Sequence, residues 1–174
     1  MKTGKLLRFR NKTEPHIGER CCFTGHRDIS DENQDELIQR LKENVLKLYQ
    51  KGVNTFYAGG ALGFDTLAAE CVIEIRKTNR DIRLVIVVPC RDQAARWSST
   101  DRERYNTILK LADDVIFLAD RYYNGCMQAR NRYMVDHSHF CICYLTKPSG
   151  GTYYTVSYAE EKELEIYNLG RHKP

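Results

Sequence analysis

Three short runs in this chain set glycine beside hydroxyl or basic residues: Thr24-Gly25-His26-Arg27, Gly59-Gly60-Ala61-Leu62-Gly63 and Gly150-Gly151-Thr152. Glycine lets backbone N–H groups approach an anion, and a helix starting behind such a turn adds partial positive charge. One such run alone reads first as ordinary turn chemistry. Three on the same edge of a sheet point instead to recognition of a phosphate or pyrophosphate.

Side chains near these runs extend the reading. Asp65 follows the middle run and is either a helix N-cap or a carboxylate that takes a ribose hydroxyl or steers a basic neighbour. Arg130 and Asn131 fall on the helical stripe that joins Met127 to Met134, which sets a guanidinium and an amide on an inward surface. Unpaired there, they would be costly. They either brace against Asp136 or another acid, or grip a phosphate bidentately. Thr152 and Thr155 open the last helix as caps or as hydroxyl donors to phosphate. His26 offers an acid, a base or a ring to stack. Trp97 either covers a ligand base or packs on the start of its own helix.

Metal and nucleophile chemistry find less support. Cys141 and Cys143 alternate along a strand, with His137 and His139 just before them, but there is no CxxC and no second ligand pair at zinc-finger spacing. Core thiols are the expectation, with no metal and no required cofactor. No His–Ser or Cys–His pairing marks a nucleophile.

The elements that must position these residues follow from periodicity. Apolar β runs at Arg20–Thr24, Thr55–Ala58, Ile82–Val88, Val115–Ala119, Phe140–Leu145 and Glu165–Leu169 alternate with helical patterns. The first helix has an acidic start (Asp31, Glu32, Asp35, Glu36), then Leu37, Leu41, Val45 and Leu48, and stops at Gly52. Leu67, Ala68, Cys71, Val72 and Ile75 mark the second. Thr100 and Glu103 read as a capping box for the third. Gly125–Ser138 is the fourth, and Pro148-Ser149-Gly150-Gly151-Thr152 opens the fifth. The fold expected is α/β: a single Rossmann-like domain, with a mostly parallel central sheet and helices on both faces. Ile82–Val88 and Val115–Ala119 read as buried strands.

Length and charge bound the rest. The 174 residues make one domain's worth of chain. Of 27 basic and 23 acidic side chains, Lys2, Lys5, Arg8, Arg10 and Lys12 fall within the first twelve residues, which hold no acid. The remainder carries 22 basic and 23 acidic groups, a net charge of −1. Residues 1–19 therefore read as a basic arm and 20–174 as the domain. A near-neutral body argues against a nucleic-acid partner, since tracking a phosphate backbone needs a basic face. No apolar run reaches the ~20 residues that span a membrane. Seven cysteines, an odd number and mostly in apolar segments, fit a reducing cytoplasm.

As an ordered set these residues resemble the YpsA-like group of the SLOG superfamily, small bacterial and phage proteins. The resemblance rests on Thr24-Gly25-His26-Arg27, the 59–65 loop with Ala68-Ala69-Glu70, Pro89 followed by Trp97 and Tyr105, Arg130-Asn131 with Met134-Val135-Asp136 and Ser138, and Gly150-Gly151-Thr152 with Thr155 and Tyr158-Ala159. It covers about residues 20–169 and implies a Rossmann-like fold with a pocket for a nucleotide-derived ligand of NAD or ADP-ribose type. The Lonely Guy phosphoribohydrolases are similar at Arg130 and at the glycine turn. However, Asn131 stands for their lysine and Thr155 for their glutamate, while Glu160 and Glu161 lie two turns on. Without that carboxylate, cleavage of an N-glycosidic bond loses its acid–base partner, which favours binding without turnover. The DNA-processing protein A family, which binds single-stranded DNA, has a loop similar to Ala61-Leu62-Gly63-Phe64-Asp65, with arginine where this chain has Leu62. Three readings stand: a sensor or sequestering protein for a nucleotide signal, a nucleotide hydrolase using Arg130 and His26, and a single-stranded DNA binder. Self-association is left open.

Overall fold

The computed structural model of the chain describes residues 18–29 and 33–170. Of the basic arm expected over residues 1–19, residues 1–17 lie outside them, as do Asp31 and Glu32 of the acidic helix start.

Strands and helices alternate: β1 (Glu19–Gly25), α1 (Gln34–Gln50), β2 (Val53–Ala58), α2 (Phe64–Arg76), β3 (Arg83–Val88), α3 (Ser99–Leu111), β4 (Asp114–Phe117), α4 (Cys126–Asp136), β5 (Phe140–Tyr144), α5 (Gly150–Glu161) and β6 (Glu165–Asn168). The strands form one six-stranded sheet in the order β4-β3-β2-β1-β5-β6, every neighbouring pair parallel. This is the doubly wound α/β architecture that alternation required.

The period-two alternation of each strand sorts its side chains between two cores. Phe23, Phe56, Leu84, Ile86 and Ile142 pack beneath α1, α2 and α3, with Leu37, Leu41, Val45, Leu67, Val72 and Ile108. Cys22, Tyr57, Val85, Val87, Cys141 and Cys143 face the other way, beneath Met134 and Val135 of α4 and Val156 and Ala159 of α5. All seven cysteines are buried and unpaired. Among the described residues, no helix is long and apolar enough to cross a membrane.

Two local expectations need correction. β4 is not a buried strand: it lies at the sheet edge beside β3 alone, and Val115, Ile116 and Phe117 are only half-buried. An apolar run does not reveal whether its second flank will be paired. The cap of α3 is Ser98, whose hydroxyl accepts from the Asp101 amide at 3.1 Å, so Thr100 and Glu103 lie within the helix rather than forming its capping box. For α1, Asn33 caps the helix, with Asp35 and Glu36 in its first turn.

The order of the strands fixes where a ligand can sit. From β1 the chain proceeds by α1 to β2 on one side, whereas β5 flanks β1 on the other. The carboxyl ends of β1 and β5 therefore diverge into opposite connections, leaving the crevice that such a switch point creates.

Candidate functional site

A cavity of about 330 Å³ opens at that switch point, lined by Thr24, Gly25, His26, Arg27, Ala61, Asp65, Met127, Arg130, Asn131, Lys147, Ser149, Gly150, Gly151 and Thr152. Three glycine runs from distant parts of the sequence thus reach one place, together with the Arg130–Asn131 pair.

The first two runs are locked against each other. A Cβ on Gly25 would sit 2.5 Å from the Phe64 side chain, and one on Gly63 would sit 2.2 Å from the Arg27 carbonyl oxygen. The Phe64 amide donates to the His26 carbonyl at 3.2 Å. Glycine is needed here so that the β1 and β2 turns can touch, rather than to admit an anion. The pair forms one wall of the cavity.

Arg130 and Asp65 stand behind that wall, 4% and 5% exposed. Arg130 donates through Nη1 to the Gly59 carbonyl and through Nε to Asn131 Oδ1 at 2.7 Å. Asp65 Oδ2 accepts from the Gly59 amide at 3.1 Å. Burial raises the Asp65 carboxyl above the usual aspartate value, against the opposing pull of Arg130 and of the Ala61 and Gly59 amides. Burial likewise lowers Arg130, opposed by Asp65. Asp65 is no N-cap, since Gly63 holds that position; it reaches back from the first turn of α2 to brace the loop. The partner of Arg130 is therefore Asp65 and not Asp136, which accepts from the Tyr158 hydroxyl at 2.8 Å. The bonds that Arg130 makes leave part of its five-donor fork for the cavity it lines.

The third run is different. Among the described residues, nothing lies within 4 Å of a Cβ built on Gly150 or Gly151. Ser149, the N-cap of α5, makes no side-chain capping bond, whereas Asn33 and Ser98 cap α1 and α3. The first amides of α5 thus carry no side-chain cap, at the positive end of a twelve-residue helix. Behind them Thr155 accepts from Asn131 Nδ2 and donates to the Gly151 carbonyl, both at 2.8 Å. Thr155 is 1% exposed and does not line the cavity; it orients Asn131 instead.

His26 accepts the Thr146 amide on Nε2 at 3.1 Å, which leaves the neutral ring its proton on Nδ1. Burial, then the charge of Lys147, lowers its pKa below the usual value. Gly59 lies behind the cavity, between Arg130 and Asp65. Gly60 and Trp97 face elsewhere, into an adjoining cavity of about 230 Å³. Lys147 and Ser149 escaped the sequence reading, although both flank Pro148 just before the third glycine run, where a basic residue and a hydroxyl are signals.

Comparisons with known proteins agree with this frame. The UPF0398 protein of Halalkalibacterium halodurans is 31% identical over 132 residues, covering 74% of this chain and 70% of that one. The SPbeta prophage-derived protein YoqJ of Bacillus subtilis is 28% identical over 143 residues, covering 75% and 82%. Among solved structures, DNA processing protein A from Helicobacter pylori, described there for its single-stranded DNA binding mode, superposes with a TM-score of 0.65 at 18% identity, over 89% of this chain and 66% of that one. The Streptococcus pneumoniae protein of the same name gives 0.59 at 16%, over 87% and 50%. These two share the fold, and the chain spans only part of their length. The family model described as the YspA SLOG family matches residues 21–170, and the chain belongs to that YpsA family.

Proposed function

We propose that this chain is a cytoplasmic sensor or sequestering protein for a nucleotide-derived small molecule of the NAD or ADP-ribose kind, held by its phosphate at the carboxyl edge of the sheet. One observation carries the reading: the uncapped first turn of α5, Arg130, Asn131 and Lys147 line a single cavity. Uncommitted amides at a helix N-terminus, with a guanidinium and an ammonium beside them, suit an anion bound from several sides.

Binding without turnover fits the lining better than hydrolysis. Thr155 occupies the position of the Lonely Guy glutamate and is committed to Asn131 and Gly151. The one carboxylate among the lining residues, Asp65, holds the loop amides. A second reading, single-stranded DNA binding, draws on the solved neighbours, one of which is described as binding it. Leu62 in the loop and the near-neutral body weigh against it.

Mass spectrometry of small molecules released from the purified protein tests the first reading directly. A phosphorylated nucleoside derivative should be found, and AMP or ADP-ribose incubated with the protein should return unchanged on chromatography. Release of free base, lost in Arg130→Ala, would favour the hydrolase. Oligonucleotide binding with a steep salt slope that survives deletion of residues 1–12 would favour DNA.

A further inference from the structure

The two cavities meet. Arg27 and Asp65 line both, but the other walls differ in kind. The larger is basic and rich in backbone amides. The smaller, about 230 Å³, is walled by Trp97, Tyr105, Leu62 and Ile108. The Trp97 ring stands edge-on to Tyr105 with centroids 5.3 Å apart. Two charged side chains also line it, and both are already engaged. Arg104 is held by the two Glu70 oxygens at 2.5 and 2.6 Å, and Asp101 accepts from the Ser98 hydroxyl at 2.7 Å. Between these polar edges Trp97, Tyr105, Leu62 and Ile108 present an aromatic and aliphatic surface suited to a flat ring. The smaller cavity falls below the roughly 300–1,000 Å³ of ordinary ligand sites, and the two joined fall within it.

We infer that one ligand spans both cavities: a nucleoside phosphate with its phosphate in the larger cavity and its base in the smaller one against Trp97. This rests on the phosphate site proposed above and adds the base to it.

Trp97 is the only tryptophan of the chain, so tryptophan fluorescence, excited selectively over the tyrosines, reports this slot. The full chain is titrated with ADP-ribose, the four ribonucleoside 5′-monophosphates and ribose 5-phosphate, by calorimetry and by fluorescence. At least one base-bearing compound should bind about tenfold or more tightly than ribose 5-phosphate and should quench Trp97. Trp97→Leu should erase that preference without changing the affinity for ribose 5-phosphate, and Trp97→Phe should restore most of it. Trp97 is half-buried, and melting curves on both variants should show cooperative unfolding near that of the native chain. Equal binding of ribose 5-phosphate and every base-bearing compound, or a preference that survives Trp97→Leu, overturns the inference and leaves the phosphate site standing. If no compound binds, both fall together.

Discussion

Asp65 and Arg130, from helices on opposite faces of the sheet, meet at one residue: the Gly59 amide donates to Asp65 at 3.1 Å, and the Gly59 carbonyl accepts from Arg130. Each charge is buried, and each is held to the same loop. Removing one leaves the other with its loop hydrogen bonds but without its opposite charge, at a cost of about 1–3 kcal/mol. Arg130→Met should lower the unfolding free energy in urea by that order. The double variant Asp65→Asn with Arg130→Met should be more stable than the sum of the single losses allows. Strict additivity would show that the two charges are not coupled.

Glycine at 59 and glycine at 151 are required for different reasons, and alanine separates them. A Cβ at Gly59 would lie 2.3 Å from Arg130 Nη1. Gly59→Ala should therefore destabilise by about 1–3 kcal/mol, as overpacking does. Gly151 has open space and a helical position, so Gly151→Ala should leave stability within about 0.5 kcal/mol. It should nonetheless weaken ADP-ribose binding about tenfold, since its methyl group crowds the uncapped turn. Thermal melts and calorimetry on the two variants give both answers.

His26 links the site to pH. Burial and Lys147 lower its pKa below 6.5, so the unfolded chain takes up the proton first. The stability this contributes is present above pH 6.5 and lost as pH falls through the lowered folded value. Urea unfolding of the native protein should weaken over that acid window more than that of His26→Asn. A histidine titration by NMR should find the His26 pKa below 6.5, and raised when ADP-ribose places its phosphate nearby.

The position of the α3 cap is open to a direct comparison. Ser98→Ala removes the hydroxyl that accepts from the Asp101 amide and should cost about 1 kcal/mol. Thr100→Ala, inside the first turn and exposed, should change stability by less than about 0.5 kcal/mol. A larger loss from Thr100→Ala would restore the capping box.

Much of the site was legible because parallel α/β chains send every strand-to-helix turn to one edge. Thr24 to Arg27 and Gly150 to Thr152 follow from that rule, Arg130 and Asn131 from their place on the stripe that joins Met127 to Met134, and all of them line one cavity. The division between two cavities was not legible. Gly60 and Trp97 line the smaller cavity while Ala61, next along the loop, lines the larger, and no periodicity encodes which side of a loop a residue meets.

By itself the sequence determined the order of strands and helices, the alternation that buries both faces of the sheet, and the edge where its polar turns gather. These are local matters, set by side-chain period and by glycine within a few residues. Only the tertiary structure decided which glycines are bare and which are filled by a neighbour. Phe64 fills the space at Gly25, and Arg130, 71 residues along the chain from Gly59, fills the space there. Gly150 and Gly151 stay open because no other segment among the described residues reaches them. Residue type permits close approach, but whether the approaching group is protein or guest depends on where distant segments come to rest.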